Sequence, residues 1–259
     1  MPMTCKYRRM IHTAIVTGAN QGIGLAVAKA LSAQGVQVFG TYLRYQPPPD
    51  PSLPDAYFTD RASAPPPLDG VHWFEIDLSL VDAPKIVFDS AEEAFGAVDI
   101  LVNNASSWVQ DTFLPAQPDK FGRSMAQISP ETFEKQFGVD ARATALLIGE
   151  FARRHIERGG TWGRIVSLTS GGPEGFPSEV SYGAAKSALQ SYTFAAGHEL
   201  APYGVTANVL YPPVTDTGWV NDEVRAKFDV ASADEVGEVI AYLCSDAARR
   251  ISRNLVHMR

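Results

Sequence analysis

The residues best suited to acid–base chemistry are a tyrosine and a lysine four positions apart, Tyr182 and Lys186. Residues at this spacing lie on one face of a helix, which brings a phenol and an ammonium together. An unperturbed phenol has a pKa near ~10, but a neighbouring positive charge favours the phenolate and lowers that pKa. The pair is therefore a candidate general acid in reduction and general base in oxidation. The alternative is polar decoration on the exposed face of an amphipathic helix.

A glycine-rich segment near the N-terminus has the chemistry of a phosphate site. It reads Thr17-Gly18-Ala19-Asn20-Gln21-Gly22-Ile23-Gly24, and it separates a short apolar run from a helical pattern. Glycines let the backbone approach a pyrophosphate, and a helix N-terminus supplies unpaired N–H groups and a positive dipole end. The segment predicts a dinucleotide site at the start of a βαβ unit, with a purely structural turn as the alternative.

The elements that must position these residues alternate along the chain. Apolar runs predict strands at Thr13–Thr17, Val36–Thr41, His72–Ile76, Val98–Val102, Arg164–Leu168, Thr206–Leu210 and Leu255–His257. Helical periodicity predicts a helix that starts near Ile23 and stops at Gly35, and further helices at Pro84–Phe95, Pro130–Arg158, Tyr182–Leu200 and Ala233–Cys244. This order predicts an α/β fold, a Rossmann-type doubly wound parallel sheet in three α/β/α layers, with 1–259 as a single domain.

One proline-rich segment, Tyr45–Leu68, interrupts the alternation. It holds eight of the 18 prolines, at positions 47, 48, 49, 51, 54, 65, 66 and 67. Since proline breaks helix interiors, the crossover helix expected here is predicted to be missing or reduced to a turn. A solvated loop is favoured over a polyproline ligand for a partner domain.

Five segments, in chain order, resemble motifs of the short-chain dehydrogenase/reductase family. The glycines have the spacing Gly-x-x-x-Gly-x-Gly rather than the Gly-x-Gly-x-x-Gly of other dinucleotide-binding enzymes. The later segments are Asn103-Asn104-Ala105, Gly163–Ser170, Tyr182-x-x-x-Lys186 and Tyr211–Thr217. The resemblance covers essentially the whole chain. It implies an NAD(P)-dependent oxidoreductase that moves a hydride between a nicotinamide cofactor and a small-molecule carbonyl or alcohol.

The resemblance also implies a role for each matching position. Ser170 would hold the substrate oxygen near the phenol of Tyr182, with Thr169 as the competing hydroxyl, and no metal takes part. The implied catalytic residues are Ser170, Tyr182, Lys186 and Asp140. The implied cofactor contacts are Gly18, Asn20, Gln21, Gly22, Ile23, Gly24, Arg44, Asp77, Leu78, Asn104, Ala105, Tyr182, Lys186, Pro212 and Thr217.

Three positions depart from the family pattern. Asp140 stands where the family usually has Asn, and it falls on the apolar stripe of its helix, so its carboxylate must be paired or protonated. It would accept a hydrogen bond from the Lys186 side, pair with Arg142 or another cation, or be a tolerated polar substitution. Ser106 stands where the family usually has the glycine that follows Asn-Asn-Ala, and Pro213 stands where it usually has the glycine of Pro-Gly. These departures motivate an alternative function, a dinucleotide-binding sensor or interaction module with little catalysis.

The cofactor is predicted from the end of the second strand, where an acidic residue would bind the ribose 2′-OH of NAD. The sequence there, Thr41-Tyr42-Leu43-Arg44, has no carboxylate, and Arg44 offers a planar fork that matches a phosphate. NADP is therefore favoured, although Gln21 stands where many NADP enzymes of the family carry Arg or Lys. NAD remains the alternative.

Only 15 residues separate Thr217 from Ala233, fewer than the family's usual substrate lid, so an open and shallow site is expected. The candidate lining residues are Trp108, Phe176 and Trp219.

Charge and composition indicate the partners. The net charge of −7 argues against nucleic-acid binding, and no apolar run is long enough to span a membrane. Two cysteines, too few for a disulfide framework, indicate a cytoplasmic location. The helices predicted at Pro130–Arg158 and Tyr182–Leu200 carry apolar residues on more than one face, which predicts a homotetramer or homodimer. The alternative is that the extra apolar residues cover loops of the same chain.

Overall fold

A computed structural model describes residues 11–46, 53–115, 118, 125–170 and 175–259. Seven strands form one parallel sheet in the order β7-β6-β5-β4-β1-β2-β3. Their bounds are β1 Thr13–Val16, β2 Gln37–Tyr42, β3 Val71–Glu75, β4 Ile100–Asn103, β5 Gly163–Leu168, β6 Val205–Tyr211 and β7 Leu255–His257. The predicted Rossmann-type α/β fold is confirmed, and each predicted strand is present within a residue or two.

Helices cover both faces of the sheet. The α-helices of the described residues are α1 Gly22–Ala33, α2 Asp55–Ala62, α3 Ala83–Phe95, α4 Pro130–Phe137, α5 Thr144–Glu157, α6 Val180–Glu199, α7 Asp222–Lys227 and α8 Ala233–Leu243. Within the described ranges, no helix combines the length and the hydropathy needed to cross a bilayer.

The core consists of two apolar layers, one on each face of the sheet. Successive strand residues point to opposite faces, so Ala14 and Val16 pack towards α1 and α8, whereas Ile15 packs towards α3, α5 and α6. Both layers are buried, which explains why the central strands are nearly continuous apolar runs.

The structure corrects the prediction for the proline-rich segment. Helix α2 lies inside it, because the prolines flank the helix instead of interrupting it. Pro54 precedes the first turn with an extended backbone, and the next proline is Pro65, beyond the end of α2. Proline is tolerated at the start of a helix, where its missing N–H has no intrahelical partner. The prolines at positions 47, 48, 49 and 51 lie outside the described residues.

The long helix predicted at Pro130–Arg158 is interrupted. A π-helical segment, Gly138–Ala143, separates α4 from α5 and carries Asp140. Such bulges occur frequently at functional sites. The sequence analysis did not predict the six-residue helix α7 or two short strand pairs. In these pairs, Asp111–Thr112 lies beside Ala126–Gln127, and Thr215–Asp216 lies beside Ala231–Ser232.

The strand order reverses between β1 and β4, which makes this point a topological switch. Ligands of open α/β sheets bind outside the carboxyl ends of the strands at such a point. The glycine turn after β1, the segment after β4 and the residues after β5 and β6 all lie at this edge.

Candidate active site

The glycine positions of the turn after β1 leave no room for a side chain. Gly18 and Gly22 have φ values of 63° and 51°, in the left-handed region that favours glycine. A Cβ on Gly24 would lie 2.1 Å from the carbonyl oxygen of Gly18, and a Cβ on Gly22 would lie 2.8 Å from Cβ of Thr217. The turn is therefore tightly packed and lies directly beside Thr217, on the loop after β6.

Asn104 and Thr17 brace this turn from the end of β4. The amide nitrogen Nδ2 of Asn104 donates to the carbonyl oxygens of Thr17 and Gly18, both at 2.9 Å. Oγ1 of Thr17 accepts from the backbone N–H groups of Asn104 and Ala105, both at 3.0 Å. These bonds give the predicted cofactor residues Asn104 and Ala105 a structural role, since they fix the shape of the loop that would hold the cofactor.

The N-terminus of α1 has the features of an anion site. Gln21 occupies the N-cap position without capping the helix through its side chain, and the first turn contains no acidic residue. The side-chain oxygen Oε1 of Gln21 is buried and has no hydrogen-bond partner among the described residues. The open N–H groups and the positive helix end fit a pyrophosphate, with Asn20 and Ile23 in the same turn.

The part of the predicted cofactor site that would hold the adenosine lies at the carboxyl ends of β2 and β3. Arg44 is held by Glu75: Nε lies 2.9 Å from Oε1, and Nη2 lies 2.6 Å from Oε2. The pairing raises the pKa of Arg44 and lowers the pKa of Glu75. Asp77 Oδ1 accepts from the N–H of Ser79 at 2.8 Å, and Leu78 is buried. The basic residue predicted to bind a phosphate therefore already has a carboxylate partner.

The structure brings Ser170, Tyr182 and Lys186 together. The hydroxyl of Ser170 is near the phenol of Tyr182, and its influence lowers the pKa of that phenol. Nζ of Lys186 donates to the carbonyl oxygen of Leu168 at 3.1 Å and lies 5.5 Å from the centre of the Tyr182 ring. Thr169 is buried and its Oγ1 accepts from Gln190 at 2.8 Å, which favours Ser170 as the hydroxyl that faces the phenol.

Asp140 is fully buried and forms an ion pair with Lys186, with Oδ1 2.9 Å from Nζ. Its other oxygen, Oδ2, accepts from the backbone N–H of Ser107 at 3.1 Å and from Nε2 of Gln136 at 2.7 Å. Of the partners left open by the sequence, Lys186 is the one observed. Arg142 instead donates to the carbonyl oxygen of Ser79 at 2.6 Å.

These contacts set the proton affinities of the pair. Burial raises the pKa of Tyr182, the ammonium of Lys186 lowers it, and the carboxylate of Asp140 raises it, with a net upward shift. For Lys186, burial lowers the pKa, but Asp140 and Tyr182 outweigh burial and the net shift is also upward. Lys186 is therefore a stable ammonium, and part of its effect on the phenol is offset by Asp140.

Two positioning residues escaped the sequence analysis. Asp111 is fully buried and accepts from the backbone N–H of Ser181 at 2.9 Å and from its hydroxyl at 2.5 Å, which anchors α6 one residue before Tyr182. Gln136 joins Asp140 to the N–H of Val109, which donates to Oε1 at 2.6 Å. No local pattern identifies either contact, because the partners are 70 and 27 residues apart.

The predicted lining residues lie on the loops after β4, β5 and β6. The Phe176 ring lies 5.8 Å from the Tyr182 ring, Trp108 lies on the loop after β4, and Nε1 of Trp219 donates to the carbonyl oxygen of Thr215 at 3.0 Å. Pro212 and Thr217 are half-buried on the loop after β6. Across the described part of the chain, no cluster of His, Cys, Asp and Glu is arranged to hold a metal ion.

Comparisons with known proteins agree with this geometry. A family model described as short chain dehydrogenase matches residues 12–227. An uncharacterized oxidoreductase of Bacillus subtilis (strain 168) is 30% identical over 256 residues, which cover 94% of each chain. The 3-oxoacyl-[acyl-carrier-protein] reductase of Escherichia coli (strain K12) is 28% identical and covers 95% of this chain and 94% of its own. The crystal structure of 3-ketoacyl-(acyl-carrier-protein) reductase from Brucella melitensis complexed with NADH has a TM-score of 0.74 at 25% identity, and covers 95% of this chain and 96% of its own.

Proposed function

The chain belongs to the short-chain dehydrogenase family, and from this premise we propose that Tyr182 is the proton donor with which it reduces a carbonyl substrate. The protein is an oxidoreductase that transfers a hydride between a nicotinamide cofactor and a carbonyl or alcohol group. A binding module with little catalysis is not favoured, because the relatives are named oxidoreductases and reductases. The observation that carries the proposal is the proximity of Tyr182 to both Ser170 and Lys186.

The roles of the residues follow from their positions. The reduced nicotinamide, when bound, supplies the hydride. Ser170 donates a hydrogen bond to the substrate oxygen and keeps it beside the phenol. Tyr182 then gives its proton to that oxygen as negative charge develops there, so the carbonyl becomes an alcohol. The phenolate left behind is stabilised by the ammonium of Lys186, and Tyr182 recovers its proton from solvent before the next turnover.

The test is reduction of a panel of ketones by the purified protein with NADPH or NADH, followed by loss of reduced-cofactor absorbance. The panel includes a 3-oxoacyl thioester, since two similar proteins are named as reductases of that class. The expected result is cofactor oxidation that depends on the ketone. Tight binding of the cofactor without oxidation by any panel member would instead support the binding-module alternative.

The proposed cofactor preference is for NADP. The end of β2 has no carboxylate to receive a ribose hydroxyl, and Arg44 is the cation nearest to that position in sequence. However, a 2′-phosphate must share or displace Glu75 to reach Arg44, because the two side chains are paired. Glu75 therefore reduces the preference that Arg44 provides, and the two residues oppose each other.

We expect opposite effects from two substitutions at this pair. Arg44→Ala weakens NADPH binding by about tenfold, and Glu75→Gln strengthens it by a similar factor, because one change removes the phosphate partner and the other frees it. NADH binding changes little in the Arg44 variant, since NADH has no 2′-phosphate. Fluorescence titration of both cofactors with the native protein and the two variants measures the six affinities. Equal affinity of the native protein for NADH and NADPH would contradict the NADP preference.

We also propose a homo-oligomer, formed through an apolar groove of about 400 Å³. Phe133, Leu146 and Tyr192 line this groove and are between 41% and 46% exposed, and the Phe133 and Phe137 rings stack at 4.2 Å. A helix that packs only on its own sheet needs a single apolar stripe. We propose that a second copy of the chain covers the additional exposed apolar side chains on α4, α5 and α6. In a closed twofold contact, each copy presents this same surface to the other.

Light scattering at micromolar concentration is expected to give a mass near four times or twice the 28.0 kDa of the chain. Leu146→Glu places a charge in the proposed contact and is expected to lower the mass towards that of one chain. Ile11→Glu is the matched control, since Ile11 is also exposed but precedes β1 and does not line this groove. A native mass near 28 kDa would reject the oligomer.

The remaining parts of the proposal concern the chain as a whole. We propose that residues 1–259 form a single domain, because one sheet receives strands from Thr13 to His257. A cytoplasmic location is proposed from the cysteine content, and Cys244, the cysteine among the described residues, is free.

A further inference from the structure

Helix α2, which the sequence did not predict, lies beside the candidate active site. Its Tyr57 is 7% exposed, and the Tyr57 ring lies 6.3 Å from the ring of Trp108 in an edge-on arrangement. A Cβ built on Gly218 would lie 3.8 Å from Cα of Tyr57 and 3.6 Å from Oδ2 of Asp60. One turn of α2 therefore touches both the loop after β4 and the loop after β6.

Both loops carry parts of the reaction centre. Trp108 directly follows Ser107, whose backbone N–H donates to Asp140. The backbone of Trp108 has a φ of 42°, which is unusual for a bulky residue. Gly218 follows Thr217, which lies beside the glycine turn. Tyr57 approaches Trp108 through its ring and Gly218 through its backbone, so this residue joins two loops that border the candidate active site.

The position of α2 is fixed from its other end as well. The carbonyl oxygen of Arg61 accepts from the N–H of Tyr45 at 2.9 Å, which ties the last turn of α2 to the chain leaving β2. The Arg61 guanidinium covers one face of the Tyr57 ring, 3.5 Å from its centre, and its Nη1 donates to the carbonyl oxygen of Tyr57 at 3.0 Å. These contacts hold the tyrosine ring in a defined orientation.

We propose that α2 forms a wall of the substrate cleft and that Tyr57 is a specificity-determining residue that limits the size of the carbonyl substrate. The inference rests on the proposed function and deepens it. The segment between Thr217 and Ala233 contributes the six-residue helix α7 and the two-residue strand Ala231–Ser232, so α2 supplies the wall that this segment is too short to build. The expectation of an open, shallow site did not include α2. The aromatic edges of Tyr57 and Trp108 suit a flat, apolar substituent on the ketone.

The test compares Tyr57→Ala with Thr59→Ala, an exposed position on the same helix, in the reduction of acetophenone and the larger 2-acetylnaphthalene with NADPH. The Tyr57 variant is expected to raise kcat/KM for the larger ketone relative to the smaller one by about tenfold, mainly through KM. The Thr59 variant keeps the native ratio. Tyr57→Leu, which retains apolar volume, gives an intermediate ratio and guards against simple failure to fold.

An unchanged ratio, or equal loss for both ketones, would overturn the proposal, because a purely structural brace affects both substrates alike. Hydrogen exchange provides a readout that is independent of turnover. Amides 105–109 and 215–219 are expected to exchange faster in Tyr57→Ala than in Thr59→Ala. If the native protein reduces no ketone, the proposed function fails. Unchanged exchange of these two loops in Tyr57→Ala would then overturn the wall proposal as well.

Discussion

Replacing Tyr182 by phenylalanine is expected to lower turnover by about 10²–10⁴-fold, the usual contribution of a positioned general acid. The change removes one oxygen and keeps the ring, so the tilted ring contact with Phe176 and the fold of α6 should be retained. NADPH affinity should remain nearly native, because the phosphate and adenosine ends of the cofactor contact other residues. Single-turnover reduction of a ketone, together with fluorescence titration of NADPH, separates the chemical step from binding.

Tyr203→Phe is the matched control for this experiment. Tyr203 is 39% exposed in the short 3₁₀ turn after α6, and loss of its hydroxyl should leave turnover unchanged. Native turnover in Tyr182→Phe would remove the phenol from the mechanism. Equal loss in both variants would show that the effect comes from general instability and not from proton transfer.

The sequence was sufficient where the signal is local. Tyr182 and Lys186 are one helical turn apart, and the three glycines of the turn after β1 have fixed offsets, so their proximity follows from helix geometry and backbone sterics. The strands of the sheet could also be predicted, because strands buried on both faces are nearly continuous apolar runs.

The contacts that tune the site were beyond the sequence because they join distant segments. The Arg44–Glu75 pair depends on the register of β2 against β3, in which Tyr42 lies opposite Glu75. The contact of Asp111 with Ser181 depends on how the loop after β4 meets α6. Helix α2 was missed for a different reason, because the number of prolines was weighed without their positions relative to the eight residues between Pro54 and Ser63.

Asp140 illustrates how a local departure acquires meaning from the fold. Its carboxylate is fully buried beside Lys186, and three groups use it: Nζ of Lys186, the N–H of Ser107 and Nε2 of Gln136. Asp140→Ala would leave the buried ammonium without its counter-charge. Removing one partner of such a pair costs about 3–5 kcal/mol, so we expect a loss of that size in the free energy of unfolding, measured by urea denaturation. Native stability in this variant would show that the pair contributes little.

Asp140→Asn is the informative variant for the chemistry, because it keeps the volume and one acceptor oxygen but removes the charge. The groups that face the phenol are Lys186, Asp140, Ser170 and Glu179, and among them both carboxylates raise the pKa of Tyr182. The Asn variant should therefore have a lower Tyr182 pKa. Reduction needs the protonated phenol, so its rate should begin to fall at a lower pH than in the native protein. Oxidation needs the phenolate, so its rate should rise at a lower pH.

The pH profiles of kcat in both directions test this expectation, with Glu131→Gln as the control for loss of a carboxylate, since Glu131 is exposed on α4. Both limbs must move in the same direction, because a single group provides the acid in one reaction and the base in the other. A shift confined to one direction would assign that limb to a different group. Unshifted profiles in Asp140→Asn would mean that its charge does not reach the phenol, and Asp140 would then serve only to hold Lys186, Ser107 and Gln136 in place.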